Sequence, residues 1–534
     1  MKELIKEMWL PATISLLYVG EAAWRLVIMP PNNTVERTYL IFNAVNLLLF
    51  AVMGFGCLGS LVIWPEPKSS SRSQAQKTKK AEEEMVAVVV ETSKEEAIKG
   101  KEVVEVVDSK NPLRTDDSAG GDPPAPSQDM DKPEKPPAKR QLVYLTNLKA
   151  FLTFQVVMIH TLCQFTSKCT DGIGTVSFDP QNPFQGPKRP FTVFGLFLID
   201  VNQEYFMSAF YLISGYFCPK SLDRKGFRHF VLDKLVRLGG PFLLWSALLR
   251  PVLYIWCYAY VGYSPLVYEY GEGPPWFILW LLNFSLLYAL VAQILPTMHF
   301  KMPHPLLLLV LGLGLGGVFY GIKISIGQYM MLGGMNQWTY GLAIYVPFFT
   351  AGVAGGRNNW LTNIEEMKPW VFWSLRVFVA GIWLISFLEI LAFTFSISSI
   401  KINPELNELK IPMYAVAMTL VMMQLFYKYF NSYFNSKILM SMGTAAYTVY
   451  IIHPWVLNVV MLMYVEILKA AKVPIFWMEK YTMVFLTEDD SGQPDLLPDG
   501  YLWGGWIFVF VLTQLFVWPL AHYFRKLPIM NKML

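Results

Sequence analysis

Long apolar runs alternate with short polar segments over most of the chain, and this pattern predicts membrane-spanning helices. Two apolar runs near the amino terminus cover Trp9 to Met29 and Tyr39 to Trp64. A helix of about 20 apolar residues crosses the hydrocarbon core of a bilayer, and ten further runs of roughly this length follow a long polar segment. We expect these ten helices to begin near Val143, Gly195, Gly240, Trp276, Pro305, Tyr340, Trp370, Pro412, Gly443 and Tyr501.

The composition agrees with this pattern and divides the chain into three parts. Hydrophobic residues make up 54% of the chain and charged residues only 16%, whereas a soluble domain carries about 25% charged residues. Residues 65–140 hold 30 of the 84 charged residues and no aromatic one, so they bury too little apolar surface to fold. The sequence therefore predicts an all-α polytopic membrane protein: a pair of transmembrane helices in 1–64, a disordered charged linker in 65–140, and a ten-helix core in 141–534.

The distribution of charge predicts the orientation in the lipid bilayer. Basic residues are concentrated in loops on one face of the ten-helix core, whereas the loop from Asp489 to Asp499 on the other face is acidic. By the positive-inside rule, the amino terminus, the linker and the carboxyl terminus are then cytoplasmic. A net charge of +4 spread over 534 residues does not indicate nucleic-acid binding. Cys163 and Cys169 share the outer face, where both a disulfide and two free thiols fit the sequence.

Two of the predicted helices carry polar stripes. In the first core helix, Lys149, Thr153, His160 and Gln164 fall within about 60° of one another, and Lys149 lies roughly 16 Å from His160 along the axis. A central Lys facing lipid costs about 3 kcal/mol, so this stripe should face protein or a water-filled cavity. Hydrogen bonding between helices is the simpler interpretation, and a catalytic site is the alternative.

The second core helix repeats this arrangement with Asp200, Glu204, Ser208 and Tyr211. A carboxylate that accepts a hydrogen bond from one ring nitrogen of His160 would leave the other nitrogen free to act as a base. Both carboxylates could instead lie solvated among the lipid headgroups.

Other candidate residues occur singly or in a basic loop. Trp276 and Asn283 share a face of the fourth core helix, although Trp276 could belong to an interfacial aromatic belt. Tyr447 and His453 share a face of the ninth, where a lone His is often structural. No His, Cys, Asp and Glu spacing indicates a metal, and no permanently bound cofactor is expected. The basic loop could bind phosphate or could only set the orientation; its candidates are Arg224, Lys225, Arg228 and Arg237.

Four segments resemble the acyltransferase-3 family of membrane O-acyltransferases, which includes O-antigen acetylases and glucan-modifying enzymes. They are LTNLKAFLTFQVVMIH, EYFMSAFYLISGYFCPKSLDRKGFRHFVLDKLVRLGGPFLL, GPPWFILWLLNFSLLYAL and MGTAAYTVYIIHPWVL, in the family's order and each at the matching helix. Together they cover about residues 141–525. The family's first motif has an Arg about ten residues before its His; here Lys149 and His160 take these places, and Thr146 replaces an acidic residue.

The resemblance implies a membrane-bound enzyme that moves an acyl group, with acetyl expected, from acyl-CoA to a hydroxyl of a carbohydrate or similar acceptor. It implies His160 as the catalytic base. Glu204 is a further catalytic candidate because of its place on the polar stripe of the second core helix. Acyl-CoA, the hydroxyl acceptor and the lipid bilayer are the expected partners. The residues also allow a transporter of an acyl group, lipid or organic anion, and a non-catalytic family member that acts as a scaffold.

Overall fold

Most of the ten-helix core is described by the computed structural model. It describes residues 142–166, 189–261, 273–296, 299, 301–326, 329–332, 335–338, 341–362, 368–395, 397, 404–432, 437–473, 475–478, 483–485, 487–488, 494–495, 498–528 and 530–533. The predicted helix pair in 1–64 and the predicted linker in 65–140 lie outside these residues, so both stay predictions.

The described residues are predominantly helical. Twelve α-helices follow one another there: α1 Val143–Cys163, α2 Pro190–Lys234, α3 Gly240–Leu244, α4 Arg250–Val261, α5 Trp276–Ile294, α6 Pro305–Ile326, α7 Val346–Asn358, α8 Pro369–Thr394, α9 Pro404–Tyr429, α10 Lys437–Ala470, α11 Asp499–Phe524 and α12 Met530–Met533. The π-helical segments Leu235–Gly239 and Trp245–Leu249 join α2, α3 and α4, and a third, Gly341–Tyr345, leads into α7. A 3-10 turn covers Trp360–Thr362.

Each of the ten predicted core spans corresponds to a helical stretch in the described part of the chain, so the all-α membrane fold is confirmed. The third span is built from α3, α4 and their π segments, and the sixth from a π segment and α7. The sequence did not predict three short antiparallel strand pairs: β1 Tyr329–Leu332 with β2 Met335–Trp338, β3 Phe476–Met478 with β4 Met483–Phe485, and β5 Thr487–Glu488 with β6 Pro494–Asp495.

Not all of these helices are equally apolar. Six described segments are long and apolar enough to cross a membrane by composition: Trp276–Ile294, Pro305–Ile322, Pro369–Thr394, Glu408–Tyr429, Ile438–Ala470 and Asp499–Phe524. The helices α1 and α2 are absent from this set because their polar stripes lower the mean hydropathy. These two helices can hold polar residues because protein surrounds them: α1 packs against α2, α9, α10 and α11.

The second helix, α2, is kinked near its carboxyl-terminal end. Gly226 has φ 73° and ψ 163°, a backbone conformation that a residue with a Cβ rarely adopts. This break falls within the basic part of α2, between Lys225 and Arg228. Within the apolar part, α2 packs closely against α7. The helix backbones are so close at Gly352 that an added Cβ there would lie 2.1 Å from the Leu212 carbonyl oxygen. Small residues that let two helix backbones approach in this way are typical of membrane proteins.

Candidate active site

Two histidines from distant parts of the chain meet inside the helical core. The rings of His160 on α1 and His453 on α10 have centroids 4.8 Å apart and are inclined by 56°. His453 is fully buried, and His160 is half-buried. The close packing of α1 against α10 helps to bring them together, since a Cβ at Gly443 would lie only 2.5 Å from the Thr146 methyl group. The sequence analysis named both histidines and did not pair them.

The orientation of His453 follows from the proline that comes next. Pro454 has no backbone N–H, so it cannot donate to the carbonyl of Tyr450 four residues earlier. The Nδ1 atom of His453 lies 2.8 Å from this carbonyl oxygen. A carbonyl oxygen can only accept, so Nδ1 carries the hydrogen and Nε2 of the neutral ring is an acceptor. Nε2 is buried and has no hydrogen-bond partner among the described residues.

Neighbouring side chains of α10 anchor this part of the helix, two of them to backbone carbonyls just before α4 and α5 and one within α10. The hydroxyl of Tyr450 donates to the Pro274 carbonyl just before α5. Asn458 is fully buried, and its Nδ2 donates to the Pro454 carbonyl over 2.8 Å. The indole nitrogen of Trp455 donates to the Leu249 carbonyl over 3.1 Å. Contacts on several sides therefore fix the backbone that carries His453.

A second polar layer links α1, α2 and α9. Gln155 donates to the Asn202 side-chain oxygen over 2.7 Å and accepts from the Tyr205 hydroxyl over 2.6 Å. Tyr414 of α9 donates to the Val201 carbonyl over 2.7 Å. The predicted catalytic carboxylate, Glu204, is half-buried beside Tyr205 on this part of α2.

Sequence reasoning missed Gln155 and Asn202, although a Gln within an apolar run was a usable signal. Neither residue belongs to the predicted polar stripes, because each faces a different direction on its helix.

Lys149 lies nearer the amino-terminal end of α1 than His160. Its Nζ is 5.4 Å from the centroid of the Phe217 ring, which is a cation–π contact with α2. No carboxylate forms an ion pair with Lys149 within the described part of the chain. The hydroxyl of Thr153, the next member of the stripe, donates back to the Lys149 carbonyl over 2.9 Å. Lys149 is therefore an amine in the protein interior with no carboxylate partner among the described residues.

The predicted basic loop is helical and lies near the start of α1, because Tyr447, which contacts Arg237, is one turn after Gly443, which packs against Thr146. Lys225 and Arg237 both contact the Asp233 carboxylate, at 2.6 Å and 3.1 Å. Arg224 is exposed, and the Nε of Arg228 is buried without a hydrogen-bond partner in the described residues. This basic segment, residues 224–237, thus keeps two guanidinium groups that no described carboxylate neutralises.

The other sequence candidates take part in contacts between or within helices. The Tyr447 hydroxyl donates to the Arg237 carbonyl over 2.7 Å, which ties α10 to the basic segment. Trp276 stacks on Tyr345 with ring centroids 5.7 Å apart. The side chain of Asn283 donates to the Leu279 carbonyl one turn earlier on its own helix, over 2.9 Å.

Arg357 on α7 links three helices, and sequence reasoning did not find it. It forms an ion pair with Asp223 of α2 and donates to the Tyr288 hydroxyl of α5 over 3.0 Å. Because it joins three helices just before the basic segment, it fixes where that segment begins. Cys163 is disulfide-bonded, whereas Cys218 and Cys257 are buried thiols outside any disulfide. No group of three His, Cys, Asp or Glu side chains suited to a metal ion occurs among the residues that the structure describes.

Ionisable side chains that line up inside a polytopic helical core are typical of membrane enzymes and transporters. The family comparison separates these two classes. A sequence model described as an acyltransferase domain matches residues 142–522, which is more than half of the chain. The chain therefore belongs to the acyltransferase-3 family, and it is a membrane acyltransferase by family. No curated protein and no solved structure matches it significantly.

Proposed function

We propose that the protein transfers an acyl group, with acetyl the expected one, from cytoplasmic acyl-CoA to a hydroxyl of a carbohydrate or similar acceptor. The observation that carries this proposal is the pair of imidazole rings, His160 and His453, in the interior of a family-matched helical core. A positioned imidazole near neutral pH is well suited to remove a proton from a hydroxyl.

The reaction needs one base and consumes no other reagent. A ring nitrogen of His160 takes the proton of the acceptor hydroxyl as the oxygen forms a bond to the thioester carbonyl carbon. The carbon–sulfur bond then breaks, and the proton passes from the imidazolium to the departing CoA thiolate. The products are the acyl ester and free CoA. Glu204, close to Tyr205 in the polar layer of α2, is the carboxylate that the sequence assigns to this centre.

Two groups of cations support acyl-CoA as the donor. Arg224 and Arg228 in the basic segment suit the phosphates of CoA, since guanidinium groups bind phosphate through paired hydrogen bonds. Lys149 contacts the Phe217 ring, seven residues before the basic segment on α2, and a cation there suits the more deeply placed part of the donor. The spacing of about 16 Å between Lys149 and His160 along α1 requires a long, thin donor, which fits the pantetheine arm of CoA.

The disulfide supports the proposed orientation. Disulfides persist in oxidising compartments and are rare in the cytosol. Cys163 is disulfide-bonded at the carboxyl-terminal end of α1, and the basic segment contacts α10 near the opposite end through Tyr447. We therefore place the basic segment in the cytoplasm and the acceptor on the far side of the membrane.

Replacement of His160 tests the proposal directly. Purified full-length protein in detergent is given acetyl-CoA and a panel of soluble carbohydrates, and free CoA thiol is measured. We expect acceptor-dependent thiol release, and we expect His160→Ala to reduce its rate by about 10²–10⁴-fold, the usual contribution of a general base. The control is His304→Ala, an exposed histidine before α6 that should leave the rate unchanged.

The outcomes separate the proposed function from its rivals. If His160→Ala keeps more than a tenth of the wild-type rate, His160 is not the base. If the wild-type protein releases no CoA and instead moves an anion across proteoliposome membranes, the transporter hypothesis replaces the acyltransferase. A protein that does neither while binding a partner through residues 65–140 would be a scaffold.

A further inference from the structure

The His453-Pro454 dipeptide builds an imidazole with a fixed hydrogen position in the middle of a helix. Pro454 leaves the Tyr450 carbonyl without its helical donor, and Nδ1 of His453 supplies that donor at 2.8 Å. The ring is fully buried, so water does not compete for this contact. The neutral ring is therefore held in the tautomer with hydrogen on Nδ1 and a lone pair on Nε2.

The lone pair of Nε2 has no hydrogen-bond partner among the described residues, although it is buried. A buried acceptor without a donor costs about 1–3 kcal/mol, so such atoms call for an explanation. The neighbouring ring is that of His160, with its centroid 4.8 Å away. At this separation, two imidazole rings bring their nearer nitrogens within hydrogen-bond reach when each turns an edge toward the other.

We propose that His453 is a positioning residue for His160: its Nε2 accepts the N–H of the His160 ring as that ring takes up the hydroxyl proton. This inference rests on the proposed function. It gives His453 the part that an acidic side chain plays in a Ser-His-Asp triad, namely to orient the base and to stabilise its protonated form. In the sequence, Asp200 and Glu204 were the candidates for this place.

The atoms involved form a chain in which each group fixes the next. The Tyr450 carbonyl accepts from Nδ1 of His453, Nε2 of His453 accepts from one nitrogen of His160, and the other nitrogen of His160 takes the proton from the acceptor hydroxyl. No proton is lost or gained along this chain, because the proton that reaches His160 leaves again with the CoA thiolate. The anchored Nδ1 hydrogen keeps the lone pair of His453 directed toward His160.

Two substitutions at position 453 separate this role from a structural one. In His453→Asn, the side-chain amide nitrogen can replace Nδ1 and still donate to the Tyr450 carbonyl, but nothing replaces Nε2. In His453→Gln, the longer side chain places its amide oxygen near the position of Nε2, where it can accept. A residue needed only to satisfy the Tyr450 carbonyl would tolerate Asn better than Gln, and a positioning residue would show the reverse order.

The experiment measures acetyl-CoA-dependent transfer by full-length wild type, His453→Asn, His453→Gln and Glu204→Gln, with the melting temperature of each in detergent. We expect His453→Asn to melt like wild type and to lose about 100-fold in kcat, the lower end of what an oriented base contributes. The KM for acetyl-CoA should stay unchanged, because His453 acts on the chemical step and not on donor binding. His453→Gln should recover part of the lost kcat.

Three results would overturn the inference while leaving the proposed function intact, because all require an active wild type. They are a His453→Asn kcat within threefold of wild type, an Asn variant more active than the Gln variant, and a 100-fold loss in Glu204→Gln without one in His453→Asn. An inactive wild-type protein would instead refute the proposed function itself.

Discussion

The contact between α2 and α7 allows a quantitative prediction, because backbone meets backbone there. A Cβ at Gly352 would lie 2.1 Å from the carbonyl oxygen of Leu212, 2.9 Å from its carbonyl carbon and 3.0 Å from the Tyr216 nitrogen. Ordinary contact begins at 3.4 Å, so Gly352→Ala must push the two backbones apart by 3.4 − 2.1 = 1.3 Å. No side chain can rotate away to relieve this clash.

We expect Gly352→Ala to destabilise the protein by about 1–3 kcal/mol, the usual cost of overpacking, with the upper end favoured because backbone atoms must move. Helix propensity acts in the opposite direction, since Ala in place of Gly gains about 0.5–1 kcal/mol in a helix interior. The matched control is Gly381→Ala on α8, where nothing lies within 4 Å of the added Cβ. Only the gain in helix propensity should apply there.

Thermal unfolding of the detergent-solubilised protein measures both variants. The melting temperature should fall for Gly352→Ala and should stay equal or rise for Gly381→Ala. Transfer activity should fall with the first variant, because α2 carries Glu204 and the Phe217 ring that Lys149 contacts. If Gly352→Ala melts at or above the wild-type temperature, the close approach of α2 and α7 does not exist as described.

Three further predictions follow from the sequence and the site. Lys149→Arg should keep acyl-CoA use or improve it, because it retains the cation and restores the family's planar guanidinium. Lys149→Ala should raise the KM for acetyl-CoA. An unchanged KM in both variants would make Lys149 structural. Deletion of residues 70–135 should leave the transfer rate and the melting temperature near those of wild type. Loss of activity in a normally folded deletion variant would show that this segment regulates the core or binds substrate. Cysteine probes are placed singly at Lys225 and Gly492, in a background without other reactive thiols. The probe at position 225 should react with an impermeant reagent only after the cells are opened, whereas the probe at position 492 should react in intact cells. Labelling of position 225 from outside would invert the proposed orientation.

Sequence reasoning was most successful where one helix at a time decides the answer. Apolar runs predicted all ten helical stretches of the core, since hydropathy along one segment is enough to identify a span. The ends were less accurate: α10 begins at Lys437 and not near Gly443. The π segments and short strand pairs have no comparable signal in composition.

The pairing of side chains between helices was beyond the reach of the sequence. Periodicity places His160 on one face of α1 and His453 on one face of α10, but it does not say which faces meet. That choice is made by packing, for example by the contact of Gly443 with Thr146. The same reason explains why the ion pair of Arg357 with Asp223 went unnoticed.

The position of each helix accounts for where the chemistry can lie. In the apolar windows of α6, α8 and α11, only 22%, 33% and 28% of the residues are buried inside the protein, and none of the predicted site residues belongs to these helices. Most of α1 is buried, and it contacts four other helices of the core. A lysine, a histidine and a glutamine on α1 can be tolerated in the membrane only because protein, and not lipid, surrounds them. The two helices whose polar residues keep them out of the set of apolar spans, α1 and α2, are thus the ones that carry Lys149, His160 and Glu204.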